Sequence, residues 1–523
     1  MVEIKIFRYL LNLSELKHIL YVLLLLFIPV KVHTQDTSSS KKGVKKIEIL
    51  YADIWEVNEK IDKDLQRLLG NVKLKHNEVT MSCDSAYYYK EKNQVKAFSK
   101  IHIEQGDTLD LYGDYLFYDG TLESASVDGN VELVDKETHL FTNAIDYDVK
   151  NRIARYNKNG RITNAQNTLT SIIGIYFVSE NLFHFKDSVK IVNPDYVMTA
   201  DTMDYNTKTE TAFFTGPTEL NGDSLYLYSE KGWYDTKNDV TRIWKNAVIN
   251  NREQIIHGDS LFFDNITGYG QSFGNVVIED TTNNLIVQGN YAWYFKQPER
   301  FMVTDRAMFI QVSRGDSLFL HADTIRAITV SDTSAKGYRL MKAYYGCRVF
   351  SKNLQAKCDS LSYSFQDSVI RFYSSPVIWS GENQLTSDSM AIFTKNRQTD
   401  RLELYNSAFV ISQIDTLRFN QIKGRSLTGY FKNNELYKID IKGNGELIYY
   451  LIDGEDVAGV NTSKCANIEV YVEKGKITEV SENGNPEGFI DPPEPLKPME
   501  LRLKGFNWFD SLRPKKKADI FKE

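Results

Sequence analysis

Apolar and polar residues alternate along this chain in a pattern that returns about every 29 residues. In each return a small residue precedes a mostly polar position, and apolar residues stand two and four places after it. Alternation with a period of two is typical of β-strands, whose successive side chains point to opposite faces. We call the mostly polar positions the anchors: Asp84, Asp114, Asn143, Ile172, Asp201, Glu230, Asp259, Asn290, Asp323, Asp359, Asp388, Arg425 and Ala466. Six of the 12 intervals between them are 29 residues, which indicates about 13 repeats.

The columns beside the anchors predict which side chains face the core. The residue before the anchor is small in all 13 repeats, from Cys83 and Gly113 to Cys465. The residue two places after is usually apolar, and the residue four places after is usually aromatic, as at Tyr88 and Tyr118. We therefore expect the small and apolar columns to point inward and the anchors to turn outward into solvent.

A second strand signal lies between the anchors, in series such as Gly70-Asn71-Val72 and Gly274-Asn275-Val276. Each repeat therefore carries about two strands, and helical periodicity is confined to residues 54–69 and the N-terminal segment. A single repeat cannot bury its own apolar face, but stacked repeats bury a continuous core. The prediction is an all-β elongated solenoid of about 13 rungs, roughly 60 Å long at ~4.8 Å per rung.

The N-terminal segment predicts export. An apolar run of 12 residues, 19–30, follows three basic residues and precedes small residues at a cleavage-like position, so residues 1–34 read as a signal peptide. The whole chain carries 63 Lys and Arg against 69 Asp and Glu, and the mature chain has a net charge of −8. This balance argues against nucleic-acid binding, which needs a basic surface.

The candidate chemistry is sparse. Gly-Asp-Ser-Leu occurs at 222–225, 258–261 and 315–318, a block found in some serine esterases, but no histidine has the Asp three places earlier that those enzymes use. The column of anchor acids allows calcium binding or acid/base chemistry, against the simpler explanation of a solvated corner. Four cysteines and eight scattered histidines give no disulfide scaffold and no zinc-ligand spacing, so we expect buried free thiols, no metal and no cofactor.

The C-terminal part differs in composition. Six of the 11 prolines fall in the last 38 residues, together with three consecutive lysines at 515–517. We divide the chain into the signal peptide, repeats at 45–300, longer repeats at 301–480, and a Pro-rich, basic tail at 481–523. We expect this tail to be extended and partly mobile.

Residues 70–113 carry a family resemblance. Gly70-Asn71-Val72, the segment Met81 to Ala86, Gly106 to Leu109 and Tyr112-Gly113 together resemble the organic-solvent-tolerance (OstA-like) family. That family includes the periplasmic lipopolysaccharide-transport bridge LptA and the N-terminal domain of the outer-membrane translocon LptD. The resemblance is closest over residues 45–300 and to the long Bacteroidetes-type members. Ser99 departs from it, because the family pattern has glycine there.

The resemblance implies a β-jellyroll, or β-taco, with a hydrophobic interior that shields the acyl chains of lipopolysaccharide or a related glycolipid during transport to the outer membrane. It implies no catalytic residue, and it implies partners of the same jellyroll type, including an LptD-like translocon, that pair at the strand edges. The expected location is the periplasm. The candidate groove residues are Leu116, Ile145, Met203, Leu261, Ile325 and Leu361.

Two other classes of exported repeat protein remain as alternatives. A β-helix polysaccharide-active enzyme needs paired acids with a basic residue on neighbouring rungs, and the acidic column here has no matching Arg or Lys column. A repeat-built surface adhesin presents polar outer loops without a continuous lipid groove. Whether the interior is apolar and accessible separates these classes.

Overall fold

The computed structural model describes residues 45–57, 63–107, 109–163, 167–223, 225–252, 254–313, 317–332, 335–395, 398–432, 435–454, 456–473, 476–492 and 501–522. The predicted signal peptide lies outside these residues. Regular structure in the described part is β-strand except for three short 3-10 helices, Val178–Glu180, Asp510–Leu512 and Lys517–Phe521, so the all-β prediction is confirmed. Among the described residues no helix is long and apolar enough to cross a membrane.

The strands follow one another as an antiparallel meander within the unit Lys46–Glu523. They are β1 Glu48–Tyr51, β2 Ile54–Val57, β3 Leu65–His76, β4 Val79–Tyr89, β5 Gln94–Gln105, β6 Leu109–Asp119, β7 Ser124–Asp135, β8 Thr138–Asp148, β9 Ile153–Tyr156, β10 Gly160–Thr163, β11 Thr168–Ser171, β12 Ile173–Phe177, β13 Leu182–Val192, β14 Tyr196–Asn206, β15 Thr211–Phe214, β16 Thr218–Gly222, β17 Tyr226–Ser229, β18 Lys231–Asp235, β19 Val240–Asn250 and β20 Gln254–Asp264. The rest are β21 Tyr269–Asp280, β22 Leu285–Lys296, β23 Glu299–Thr304, β24 Met308–Gln311, β25 Leu318–His321, β26 Thr324–Asp332, β27 Ala335–Phe350, β28 Gln355–Ser364, β29 Val369–Tyr373, β30 Val377–Ser380, β31 Asn383–Thr386, β32 Ser389–Lys395, β33 Gln398–Gln413, β34 Phe419–Lys432, β35 Glu435–Asp453, β36 Asp456–Glu473, β37 Lys476–Asn483 and β38 Glu487–Asp491.

Each rung bends at a corner, and the bend divides the stack into two walls. In β6 the corner is Asp114: residues 109–113 pair with their neighbours in what we call the first wall, and residues 115–119 in the second wall. The pairing register shifts at the same place in the neighbouring strands, between Phe98 and Ile101 in β5 and between Asp128 and Val131 in β7. Two residues of each such strand are thereby left out of the ladder, as in a β-bulge.

Left-handed backbone at these corners explains the Gly-Asn series. Gly129 and Asn130 have φ values of +78° and +46°, and Gly274 and Asn275 have +66° and +46°. Glycine and asparagine tolerate this region best, so the sequence marks the bend. Ser99 occupies the equivalent place with φ +64°, which shows why the family pattern has glycine there.

The anchors face outward, as predicted, and they complete the corners. Asp114 accepts a hydrogen bond from the Asn130 amide at 2.7 Å, and Glu230 accepts one from Asn246 at 2.6 Å. Of the 13 small residues before the anchors, 12 are buried and Gly258 is half-buried. The inward assignment of the small column is therefore confirmed, and the acids act as partners of the corner.

Two features of the rungs differ from the sequence predictions. Each repeat contributes two hydrogen-bonded strand layers to each wall, so 13 repeats stack to on the order of 120 Å rather than 60 Å at about 4.8 Å per layer. The helical periodicity of residues 54–69 is also misleading, because 54–57 and 65–69 are strands. Asp53 forms an additional corner there, with its backbone N–H bonded to Gly70 and its carboxylate to Asn71, so the repeats begin one anchor earlier.

The described part of the tail packs on the outside of the first wall, which corrects the expectation of a mobile extension for residues 501–522. Gln421 of β34 binds the tail at two points, donating to the Leu501 carbonyl and accepting from the Leu503 N–H. Gln384 of β31 does the same with Asn507 and Phe509. Each of these side-chain amides bonds to one carbonyl and one N–H of the tail, as the backbone of a neighbouring strand would. The tail therefore runs in an extended conformation back across several strands.

Candidate functional site

The six candidate groove residues all point between the walls. Each is at most 4 % exposed, and each stands two places after its anchor: Leu116 on β6, Ile145 on β8, Met203 on β14, Leu261 on β20, Ile325 on β26 and Leu361 on β28. They face inward together because side chains alternate between the two faces of a strand, and because each of these residues is the second one after the corner. The structure brings the first four into one core cluster and places Ile325 and Leu361 in the next, and whether any of them contacts lipid stays a prediction.

A column of tyrosine hydroxyls closes the mouth opposite the corner. Each of these tyrosines lies four places after an anchor, near the tip of the second wall, and bonds to a residue 41 or 42 places earlier on the first-wall side. The pairs are Tyr88 with the Ile47 carbonyl at 3.1 Å, Tyr118 with His76 Nδ1 at 2.7 Å, Tyr147 with Gln105 Oε1, and Tyr176 with Asp135 Oδ2. We call these four pairs the tyrosine latches.

The latch hydroxyls are buried and remain protonated. Burial raises the pKa of Tyr147 to about 12, and burial together with the bond to Asp135 raises the pKa of Tyr176 further above its usual value. Each hydroxyl therefore keeps its proton at physiological pH and donates to its acceptor at Ile47, Gln105 and Asp135, while the roles in the Tyr118–His76 bond follow the tautomer of His76. Sequence analysis identified this aromatic column as a strand signal and missed its bonds, because their partners lie one and a half repeats away.

The interior changes character beyond the latches, over β19–β22. Leu111 and Tyr118 of β6 are 0 % exposed, whereas Ile256 and Phe263, at the same places in β20, are only half-buried. Phe263 also lacks the hydroxyl of a latch. The buried core itself is divided into two clusters here, one ending at Leu261 and the next beginning at Val276.

Many of the half-buried interior positions of this segment carry apolar or aromatic side chains. They include Ile249 of β19, Ile256 and Phe263 of β20, Ile278 of β21 and Tyr294 of β22. We call residues 240–296 the open segment. Because its inner faces are apolar and incompletely covered, it offers a surface that favours hydrocarbon over water.

A small cavity lies between the latched rungs and the open segment. It has a volume of about 30 Å³ and is lined mainly by apolar side chains, including Leu169, Phe185, Ile191 and Tyr205. Tyr205 is the next member of the aromatic column after the latches. Next in the column, Tyr234 packs edge-on against Tyr196 of the first wall at 6.0 Å and donates to Asp239 of its own hairpin. The closure is therefore looser here than at Tyr118.

A group of metal-ligand type lies on the outer face of the first wall. His102 of β5 bonds to Asp110 of β6 at 2.7 Å, and the donor atoms of His102, Glu104 and Asp110 all lie within 4.8 Å of one another. These three side chains could hold a divalent cation. The expectation of scattered histidines missed the group because the strand pairing, rather than sequence spacing, brings it together.

The esterase-like blocks fall in different structural settings. Gly258 to Leu261 spans the corner of β20, where the Ser260 hydroxyl accepts a bond from Arg242 at 3.3 Å. The copy beginning at Gly222 starts at the last residue of β16, and its Ser224, like residues 315 and 316 of the third copy, lies outside the described residues. The described copy at 258–261 therefore serves a bend within a strand, and the copy at 222–225 begins where a strand ends, as expected of turn-forming residues.

Comparison with known sequences agrees with the bent, two-walled meander. The sequence profile described as OstA-like protein matches residues 44–201 and 205–309. No curated protein sequence matches the chain. The matched residues include the four latches, the corners up to Asn290 and the whole of the open segment. On this match over half of its length, the chain belongs to the OstA-like protein family, whose general role is transport and binding of lipopolysaccharide or lipid.

Proposed function

We propose that this protein binds the acyl chains of lipopolysaccharide or a related glycolipid between its two walls and passes the lipid toward the outer membrane without altering it. The site of action would be the periplasm. Membership of the OstA-like family supports the general role, and the apolar, incompletely covered interior of the open segment is the observation that carries the specific one.

The energetics favour entry at the open segment. An acyl chain gains roughly 0.8 kcal/mol per buried CH₂, so a chain of about 12 carbons contributes on the order of 10 kcal/mol if fully covered. At β6 a chain would have to displace fully buried side chains and break buried latches. At β20 it would cover Ile256 and Phe263, which solvent already reaches.

Docking of a jellyroll partner forms the second part of the proposal. In the described chain β1 and β2 pair with β3 on one side, and their outer edge carries Leu50, Trp55 and Val57, each more than half exposed. An added strand would satisfy the unpaired backbone groups of this edge and cover those side chains. The partner we propose is another jellyroll of a lipopolysaccharide-transport system.

Three phenylalanines provide a matched test of the lipid site. Phe263 lines the open segment, Phe183 is fully buried among the latched rungs, and Phe213 of β15 points outward. A photoreactive phenylalanine derivative is placed at each position in turn, in cells that make the glycolipid. We expect strong glycolipid labelling at Phe263, weaker labelling at Phe183 and none at Phe213.

The outcomes separate the possibilities. Equal labelling at Phe213 and Phe263 would show non-specific adsorption, and labelling of protein alone at Phe263 would contradict the proposal. Release of fatty acid or sugar from glycolipid by the purified protein would favour an enzyme. The same derivative at Leu261 should capture glycolipid as Phe263 does, and at the outward Asp201 it should not.

A further inference from the structure

Two of the four cysteines stand directly opposite each other on neighbouring strands. Cys347 of β27 pairs in register with Cys358 of β28, beside the corner of that rung. Both face the interior, and they are 0 % and 5 % exposed. Directly opposed residues of antiparallel strands have Cα atoms about 4.5–5.5 Å apart, which falls within the range of about 4.4–6.8 Å that disulfides span.

The thiols themselves are in contact. A hydrogen bond with the Cys347 thiol, together with burial, raises the pKa of Cys358. The remaining cysteines have no such neighbour: Cys83 is opposite Val72, and Cys465 is opposite Gly445. The sequence placed Cys358 in the small column but gave no register for Cys347, so only the fold reveals the pair.

We propose that Cys347 and Cys358 form a disulfide bond when the chain folds under oxidising conditions, linking β27 to β28 beside the corner. The oxidant is a small-molecule or protein disulfide. One cysteine thiolate attacks it, forming a mixed disulfide and releasing one thiolate of the oxidant. The second cysteine thiolate attacks the mixed disulfide, forming the S–S bond and releasing the second thiolate. The two cysteines thereby lose two protons and two electrons, and the oxidant is reduced to two thiols.

The folded structure limits when this reaction takes place. Attack requires a thiolate, and the bond to Cys347 together with burial raises the pKa of Cys358, which keeps this thiol protonated in the folded chain. The two residues are separated by 10 others in the sequence, so they meet as soon as the hairpin forms. Oxidation therefore belongs to folding, before the neighbouring rungs enclose the sulfur atoms. The predicted export enters this inference at one point only: it places the folding chain in a compartment that supplies an oxidant.

Thiol counting on the purified full chain tests the pair. The chain is unfolded with reductant and then refolded in reduced glutathione alone or in a mixture of oxidised and reduced glutathione. Its thiols are counted in denaturant, and the linked peptides are mapped without reduction. We expect four thiols in the first case and two in the second, with Cys347 joined to Cys358. The Cys83→Ser, Cys465→Ser double variant should lose both of its thiols in the same mixture.

The contrary outcomes are equally clear. Four remaining thiols in the refolded, oxidised chain would overturn the proposal, and so would a linkage through Cys83 or Cys465, or stable glutathione adducts. The Cys347→Ser variant should keep all three of its thiols, and circular dichroism confirms that each sample is folded. A positive result also predicts a higher denaturant midpoint for the oxidised chain than for the reduced one, with no difference in Cys347→Ser.

Discussion

Replacing Tyr176 by Phe removes one latch and leaves the rest of the rung intact. The ring keeps its stacking on Phe183, with centroids 3.9 Å apart, and only the hydroxyl that binds Asp135 is lost. Asp135 is 6 % exposed, so water does not readily replace the missing donor. Hydrogen bonds to charged groups contribute about 1.5–3 kcal/mol, and we expect a cost of about 2 kcal/mol.

The effect should be local, because a stacked-repeat protein opens in parts. Hydrogen exchange measured by mass spectrometry should show the tip of β7, including Asp135, exchanging about 30-fold faster, the factor that corresponds to about 2 kcal/mol. Tyr234→Phe is the control, since Tyr234 binds Asp239 within its own hairpin and does not bridge the walls with its hydroxyl. The latch interpretation fails if Tyr176→Phe leaves hydrogen exchange in β7 unchanged. It also fails if Tyr234→Phe accelerates hydrogen exchange in β7 as much as Tyr176→Phe does.

Three further predictions follow from the corners, tips and tail. Ala322→Trp should overpack the interior and cost about 1–3 kcal/mol or more in thermal melts, whereas Asp259→Asn at an exposed corner should cost little; equal losses would contradict the inward and outward assignment. Burial raises the pKa of Asp119, but the hydrogen bonds that its carboxylate accepts outweigh burial and lower it, so its stabilisation is present above about pH 4 and is lost as pH falls through the lowered pKa. Acid titration of unfolding should therefore be shallower in Asp119→Asn, and an unchanged slope would exclude this role. Gln421→Leu should accelerate exchange in tail residues 501–509 by roughly 10-fold or more, and unchanged protection there would show that the amide does not hold the tail.

The inward faces of the strands were predictable because a strand has a period of two and the repeats supply many copies of it. Leu116 and Ile325 could be placed in the core from their distance to the anchors alone. The corner was less predictable: Gly129-Asn130 reads as a turn, yet it bends a strand instead of joining two. The length was underestimated for the same reason, since each repeat adds two layers to both walls.

Contacts between the walls could not be derived from the sequence. Tyr147 meets Gln105 across 42 residues, and this stagger depends on how the two walls are offset along the stack. The tail illustrates a weaker signal that was available. Gln355, Gln384 and Gln421 all stand four places before an anchor on the outer face, and each binds the tail. Buried amides at solvent-facing positions of a strand indicate that another segment covers them.

The arrangement of latched and open rungs explains how one fold can be both stable and accessible inside. The strand pairing continues through β19–β22, since each of these strands pairs with the next on both sides of its corner. An open mouth there breaks no hydrogen bond between strand backbones, because every latch is made by a tyrosine hydroxyl at the tip of the second wall and not by the strand pairing. The aromatic column stops bridging the walls with its hydroxyls before it reaches Phe263, because Tyr234 donates to Asp239 of its own hairpin. Where a tyrosine of the column finds its partner, and whether the ring carries a hydroxyl at all, as it does not at Phe263, therefore decides which rungs are latched by side chains and which are left half-buried inside.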